Sequence, residues 1–294
     1  MRFSARVMGC TVALLFHPWA NAAQALPQHW VSAGGALTEW VVAMGGESKL
    51  VGVDTTSQHP DSVKALKSIG YQRALSAEGI LSLSPRPDIL IGTEEMGPPP
   101  VLEQVRAAGL GVEMFDTKAD LPTLQANLLH LGRLLGDEAH AGELFDDYRQ
   151  QLTTQHAWVK QAEAGQPAPG VILLLGHMGA KPLVAGPNTV ADWMITQAGG
   201  RNLATQPGYK SFSSEVLAAL DPQVIVFADR SLSGSAAIAA LLKDNPALAN
   251  SRAVKDQRIL QIDPTLLVGG LGPRLPASLH SLSQGFYPNA KLAQ

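Results

Sequence analysis

Cysteine is nearly missing from this chain of 294 residues, with Cys10 the only one. It falls inside an N-terminal stretch that reads as a removable signal peptide over residues 1–22. Arg2 and Arg6 form a positive start, Val7 to Phe16 a short apolar run, and Ala20-Asn21-Ala22 the small residues that a signal peptidase needs. Cleavage after Ala22, or alternatively after Ala25, is expected to export the chain and leave it without cysteine. That excludes disulfides and thiolate metal sites even in an oxidising compartment. Val7-Met8-Gly9-Cys10 looks superficially like a lipoprotein signal, but most of the apolar run follows this cysteine, whereas a lipid-modified cysteine must come after it.

Long apolar runs are also missing, since nothing after the leader approaches the roughly 20 residues of a membrane-spanning helix. Charge is sparse: 16% charged against 46% hydrophobic residues describes a globular chain long enough for two domains. Without Arg2 and Arg6, 20 basic residues face 25 acidic ones, a net charge of −5. This is no footprint for nucleic acid, so attraction to an anionic ligand must come from individually placed arginines. Catalytic signatures are lacking as well. There is no Gly-x-Ser-x-Gly elbow, no phosphate-binding glycine loop ending in Lys-Ser or Lys-Thr, and no His-Glu-x-x-His. The histidines after the leader (29, 59, 130, 140, 156, 177 and 280) include no pair at i, i+4, which argues against a zinc carrier.

What is present is an alternation of strand and helix signals, the mark of a parallel sheet with helices on its faces. A strand around Trp30-Val31, a helix carrying Leu37, Trp40, Val41 and Met44, a Gly45-Gly46 stop and a strand Leu50 to Val53 make a βαβ unit. A short helix from Asp61 to Lys67, a strand Asp88 to Gly92, a helix Val101 to Ala108 and a strand Gly111 to Phe115 complete an N-terminal α/β lobe over residues 23–120. Residues 121–166 lack strand signals and read as a helical linker broken only between Gly132 and Gly136. Its second part places Ala141, Leu144, Phe145, Tyr148, Leu152, Val159 and Ala162 at helical spacing. A C-terminal α/β lobe, residues 167–294, opens with a buried strand Val171 to Leu175.

The second lobe repeats the first. Val184-Ala185-Gly186, Trp193 and Gly199-Gly200 follow Ser32-Ala33-Gly34, Trp40 and Gly45-Gly46. Gly208-Tyr209-Lys210, Ser213-Ser214-Glu215 and Val224-Ile225-Val226 follow Gly70-Tyr71, Ser76-Ala77-Glu78 and Ile89-Leu90-Ile91, with seven residues from glutamate to proline in both. Two such lobes enclose a cleft, and in open α/β sheets ligands sit beyond the carboxyl ends of the strands.

The cleft's candidate residues follow from this register. Ser76 reads as a helix N-cap, which leaves Tyr71 and Arg73 on the preceding loop. A guanidinium near a phenol favours the phenolate, a hard oxygen ligand suited to ferric iron. On spacing alone, half-buried packing for Tyr71 and a solvated charge for Arg73 are the commoner outcome. Tyr209, Lys210, Arg230 and the strand-end His177 are expected to face them from the second lobe.

The string Gly70-Tyr71-Gln72-Arg73-Ala74-Leu75-Ser76-Ala77-Glu78-Gly79, within this two-lobed pattern, resembles the haem-specific branch of the helical-linker periplasmic binding proteins of bacterial ABC importers. The wider class also carries vitamin B12 and ferric siderophores. The resemblance implies two Rossmann-like lobes with central parallel sheets joined by a long rigid helix, a periplasmic location, and ferric haem as a transported ligand rather than a catalytic cofactor. It implies Tyr71 as axial ligand of the haem iron with Arg73 steadying the phenolate, and Arg230 as a basic group near a propionate. It further implies His177 at a position used for a second haem in some members, and Glu78 and Glu215 as tips that dock on an inner-membrane permease with its ATPase. An outer-membrane haem receptor upstream fits the same picture. Tyr209, Lys210 and Arg274 are open to a plain packing role, Arg274 by pairing with an acid near the C-terminal helix. Cobalamin or a ferric siderophore is the alternative cargo.

Overall fold

The structure is a computed structural model, and it describes residues 25–177, 180–229 and 232–290. The expected signal peptide and Arg230 lie outside these residues. The first lobe runs β1 (Trp30–Ala33), α1 (Gly35–Ala43), β2 (Leu50–Val53), β3 (Lys67–Ser68), α2 (Ala77–Leu81), β4 (Ile89–Thr93), α3 (Pro99–Ala107) and β5 (Gly111–Phe115). Its sheet has the order β3-β2-β1-β4-β5 with every neighbour parallel, and β1 and β4 are buried on both faces, as a sheet covered by helices requires. The Asp61 to Lys67 helix is a 3₁₀ segment, Asp61–Ala65, because Lys67 already pairs with Gly52 in the sheet.

Two helices follow, α4 (Leu121–Leu135) and α5 (Glu138–Gly165), each opened by an aspartate cap: Asp120 accepts from the Thr123 amide and Asp137 from that of His140. The break between them is sharper than the sequence implied. Gly136 alone turns the chain, at φ 80°, while Gly132 stays in α4, where a Cβ would press on Ala141 of α5. The 28 residues of α5 reach about 42 Å at 1.5 Å per residue. Its buried stripe, Ala141, Phe145, Tyr148, Leu152, Gln155, Val159 and Ala162, explains how a helix of mostly polar composition is held in place.

The second lobe contains β6 (Gly170–His177), β7 (Ala180–Ala185), α6 (Val190–Gln197), β8 (Arg201–Asn202), β9 (Tyr209–Ser211), α7 (Ser214–Leu220), β10 (Val224–Ala228), α8 (Gly234–Asp244), α9 (Arg252–Lys255), β11 (Ile259–Ile262) and α10 (Leu275–Phe286). Its sheet, β11-β10-β6-β7-β9, departs from the expected parallel pattern: β7 runs antiparallel to both β6 and β9. The two residues between β6 and β7 are too few for the crossover that a parallel neighbour needs, so the chain returns as a hairpin. The duplicated helix ends do recur. Gly46 bonds back to Val41 and Gly200 to Ile195, each at 2.8 Å, after glycines 45 and 199 at φ 74° and 83°.

One apolar core crosses the whole molecule. Trp30, Leu37 and Trp40 of the first lobe, Leu128, Leu131 and Tyr148 of the linking helices, and Val171, Met194, Leu275 and Phe286 of the second belong to a single buried cluster. Trp40 also donates to the Leu271 carbonyl at 2.8 Å and lies 5.8 Å from the Tyr148 ring. Lobes that share a core in this way do not swing freely, because interiors are packed at crystal-like density.

Candidate functional site

The loop between β3 and α2 is pinned at two buried residues. Gly70 takes φ 88°, a conformation few side chains adopt, and its carbonyl accepts from the Thr55 amide. Gln72 and Leu75 then point inward and are buried, while backbone bonds from Gly97 to Gln72 and from Leu75 to Gly97 tie the loop to the end of β4. Ser76 caps α2 by accepting from the Gly79 amide at 3.3 Å. With Gln72 and Leu75 anchored, the loop presents Tyr71 and Arg73 outward, and Tyr71 is 38% exposed, unusual for a large aromatic side chain.

Arg73 is not free. Its Nη2 meets Glu95 Oε2 at 2.6 Å, and this bond raises the guanidinium's pKa against the opposing effect of burial, with a smaller contribution from Tyr71. Burial pushes the Tyr209 phenol up to about 12, and the charge of Glu95 adds to that shift. The structure therefore sets Arg73 against an acid that sequence reasoning passed over. The available signal was Glu94-Glu95 directly after a strand whose carboxyl end faces the cleft.

The other expected residues are less concentrated. Lys210 alternates to the opposite side of β9 from Tyr209 and is exposed. The backbone of His177 ends β6, where it pairs with Ala180. Glu78 and Glu215 each occupy the first turn of a serine-capped helix, α2 and α7, and both are exposed at equivalent places on the two lobes.

Three of the five buried side-chain polar atoms that lack a partner among the described residues border this region: Gln72 Oε1, Thr93 Oγ1 and the Tyr209 hydroxyl. Gln72 and Thr93 converge on Gly34, where a Cβ would touch both.

Beside the same strand ends lies an interlobe hollow of about 340 Å³, lined by Thr56, His59, Asp229, Asp263, Thr265 and Val268 among others. Its wall is an ion cluster joining the lobes. Arg274 grips Glu39 of α1 with two bonds, at 2.8 and 2.9 Å, and Asp263 at 2.8 Å, and His59 meets the same Asp263 oxygen at 2.7 Å. Arg274 thus has a structural role, as the packing alternative held, although one of its acids comes from the other lobe. Burial opposes ionisation of Asp263, yet the bonds from Thr265 and Arg274 outweigh it and hold the carboxyl below its ordinary range. A hollow of about 440 Å³ beside Trp158, Gly165 and Tyr287 lies at the other end of the second sheet, before β6 begins. Among the described residues, no group of three His, Cys, Asp or Glu side chains could hold a metal ion, and no helix is long and apolar enough to cross a membrane.

Comparison with known proteins adds relatives to this geometry. The family described as "Periplasmic binding protein" matches residues 31–266. A periplasmic haem-binding protein of Pseudomonas aeruginosa is similar in structure, with a TM-score of 0.88, 62% identity, and coverage of 90% of this chain and 95% of that one. The periplasmic haem-binding protein RhuT of Roseiflexus sp. RS-1, in apo form, has a TM-score of 0.80 at 35% identity, over 90% of this chain and 99% of its own. A vitamin B12-binding protein of Pectobacterium atrosepticum is 27% identical over 211 residues, 70% of this chain and 73% of the relative.

Proposed function

The chain belongs to the periplasmic binding protein family, whose members bind substrates rather than transform them, and on that premise we propose that it captures ferric haem in the interlobe cleft through Tyr71 and delivers it to an inner-membrane ABC importer. The observation that carries this reading is the presentation of Tyr71. An anchored loop holds a phenol outward at the strand ends of an interlobe cleft, with a guanidinium two residues away and paired at 2.6 Å to an acid that also acts on the second lobe. A phenol oxygen is an established kind of axial ligand for haem iron. The identities of 62% and 35% to haem-binding proteins, against 27% to a B12-binding protein, support the same cargo.

In this reading the bound phenolate draws Arg73 as its counter-charge, and Arg230 and other second-lobe groups meet the propionates. Apolar cleft walls cover the porphyrin faces. The shared core limits closure to small adjustments. Glu78 and Glu215, exposed on matching helix starts, are the contacts to the permease, and residues 1–22 direct export to the periplasm.

Adding hemin to the purified protein tests the cargo. The expected result is the absorption of a tyrosine-ligated, high-spin ferric haem, saturating with added hemin. Tight binding of cobalamin with no response to hemin assigns the chain to the B12 carriers instead.

A further inference from the structure

The loop after β2, residues 54–60, is tied to the first lobe at one end and to the second lobe at the other. Asp54 pins its start: the buried carboxylate accepts from the amides of Gly34 at 3.0 Å and Thr56 at 3.1 Å, and from the Ser57 hydroxyl at 2.8 Å. Bonds to an ionised acceptor are strong, so this turn has little freedom. Beside it, the Thr55 amide donates to the Gly70 carbonyl at 2.9 Å, which makes the turn a direct support of the glycine before Tyr71.

At the far end of the loop, His59 Nε2 lies 2.7 Å from Asp263 Oδ2 of the second lobe. A carboxylate accepts and does not donate, so the imidazole is the donor. Asp263 is itself held in place. Its other oxygen takes the Thr265 amide at 2.9 Å and the Thr265 hydroxyl at 2.7 Å, while Arg274 shares Oδ2 at 2.8 Å. The bond therefore joins two anchored supports across the interlobe hollow, which Thr55 and Thr56 line from one lobe and Thr265 and Val268 from the other. Arg274 and Glu39 also join the lobes, but Glu39 is buried in α1, whereas the side chains of His59 and Asp263 are 33% and 32% exposed.

We infer that His59 is a positioning residue for the cargo: its bond to Asp263 fixes how far the second lobe stands from the loop that carries Tyr71, and so sets the width of the slot in which haem is held. This inference rests on the haem reading above. The core that crosses both lobes prevents large swings, which leaves the spacing at the mouth of the cleft to contacts such as this one. Without the bond the second lobe stands off from Tyr71 while both lobes stay folded. The signature is faster release at unchanged stability, because differences between related complexes lie chiefly in dissociation.

The absorption of hemin-loaded wild type is read first, and a wild type without the tyrosine-ligated band overturns the haem reading and this inference together. With the band present, haem dissociation is compared in wild type, His59→Ala and His59→Gln, whose side-chain amide still donates to Asp263. Release from His59→Ala is expected to be about threefold faster, the size set by a partly exposed pair screened by water. Its denaturant midpoint is expected to match wild type, and His59→Gln to return the rate to the wild-type value. Equal rates in wild type and His59→Ala, or release from His59→Gln as fast as from His59→Ala, overturn the inference and leave the haem reading standing. Faster release accompanied by a matching fall in stability overturns it too, since the role is then structural. Should His59→Ala fail to fold, the structure of the loaded wild type decides: His59 on Asp263 with haem between the lobes supports the inference, and His59 parted from Asp263 overturns it.

Discussion

The two glycine-tyrosine segments, 70–71 and 208–209, occupy matching places in their lobes and have opposite fates. Each begins with a glycine at positive φ, 88° and 76°, and leads to a serine-capped helix with glutamate in its first turn and then to a fully buried strand. Tyr71 stands on a loop and is 38% exposed, whereas Tyr209 begins a strand and has its hydroxyl buried. The duplication has kept the frame that positions the segment, and burial has divided the chemistry. An exposed phenol can lose its proton to solvent as its oxygen binds a metal, while a buried one serves as a protonated donor.

The contrast is broken most severely at the exposed ring. Tyr71→Phe is expected to weaken haem binding about a thousandfold, because the ligand atom itself is gone and outer-shell changes alone cost 10–100-fold at metal centres. Tyr209→Phe in the same titration is expected to leave the tyrosinate absorption intact. Equal losses from the two tyrosines abolish the distinction drawn here.

Next in size is the clamp that holds the lobes at fixed separation. Arg274→Met strands Glu39, which is buried, and is expected to lower stability by about 3 kcal/mol in denaturant melts. Asp263 in the same cluster has a depressed pKa, so its contribution is present above its unfolded value near pH ~4 and is lost as pH falls below it. Acid titration of the wild type is expected to show this loss, and the Arg274 variant is expected to show less of it.

Arg73→Ala is expected to weaken haem binding about tenfold with the tyrosinate absorption still present, since a charge neighbour is removed and the ligand remains. The smallest effect on binding is expected at the glutamates. Glu78→Ala and Glu215→Ala should stay within about twofold of wild type in haem affinity, yet impair transport in vesicles carrying the permease. Lost affinity with intact transport moves both residues from the docking face to the binding site.

Much of this frame was legible in the chain. The Ser76 cap, the strand signals at 30, 50, 89 and 111, the helical stripe from Ala141 to Ala162 and the paired glycine stops are local patterns, set by periodicity and by backbone conformations within a few residues. What escaped is long-range. Arg274 finds Glu39 from 235 positions away, and Arg73 finds Glu95 where the loop and the segment after β4 are stitched together at Gly97. The β6–β7 hairpin was hidden for a different reason. Two strands buried in one sheet carry the same apolar composition whether they run parallel or antiparallel, and only the brevity of the turn separates the cases.

The most direct test is to load the wild type and Tyr71→Phe with hemin side by side and record the iron–phenolate stretch by resonance Raman. The account predicts the band in the wild type and its loss in the variant. The same band in both proteins, or a haem bound by the wild type through nitrogen ligands alone, contradicts it.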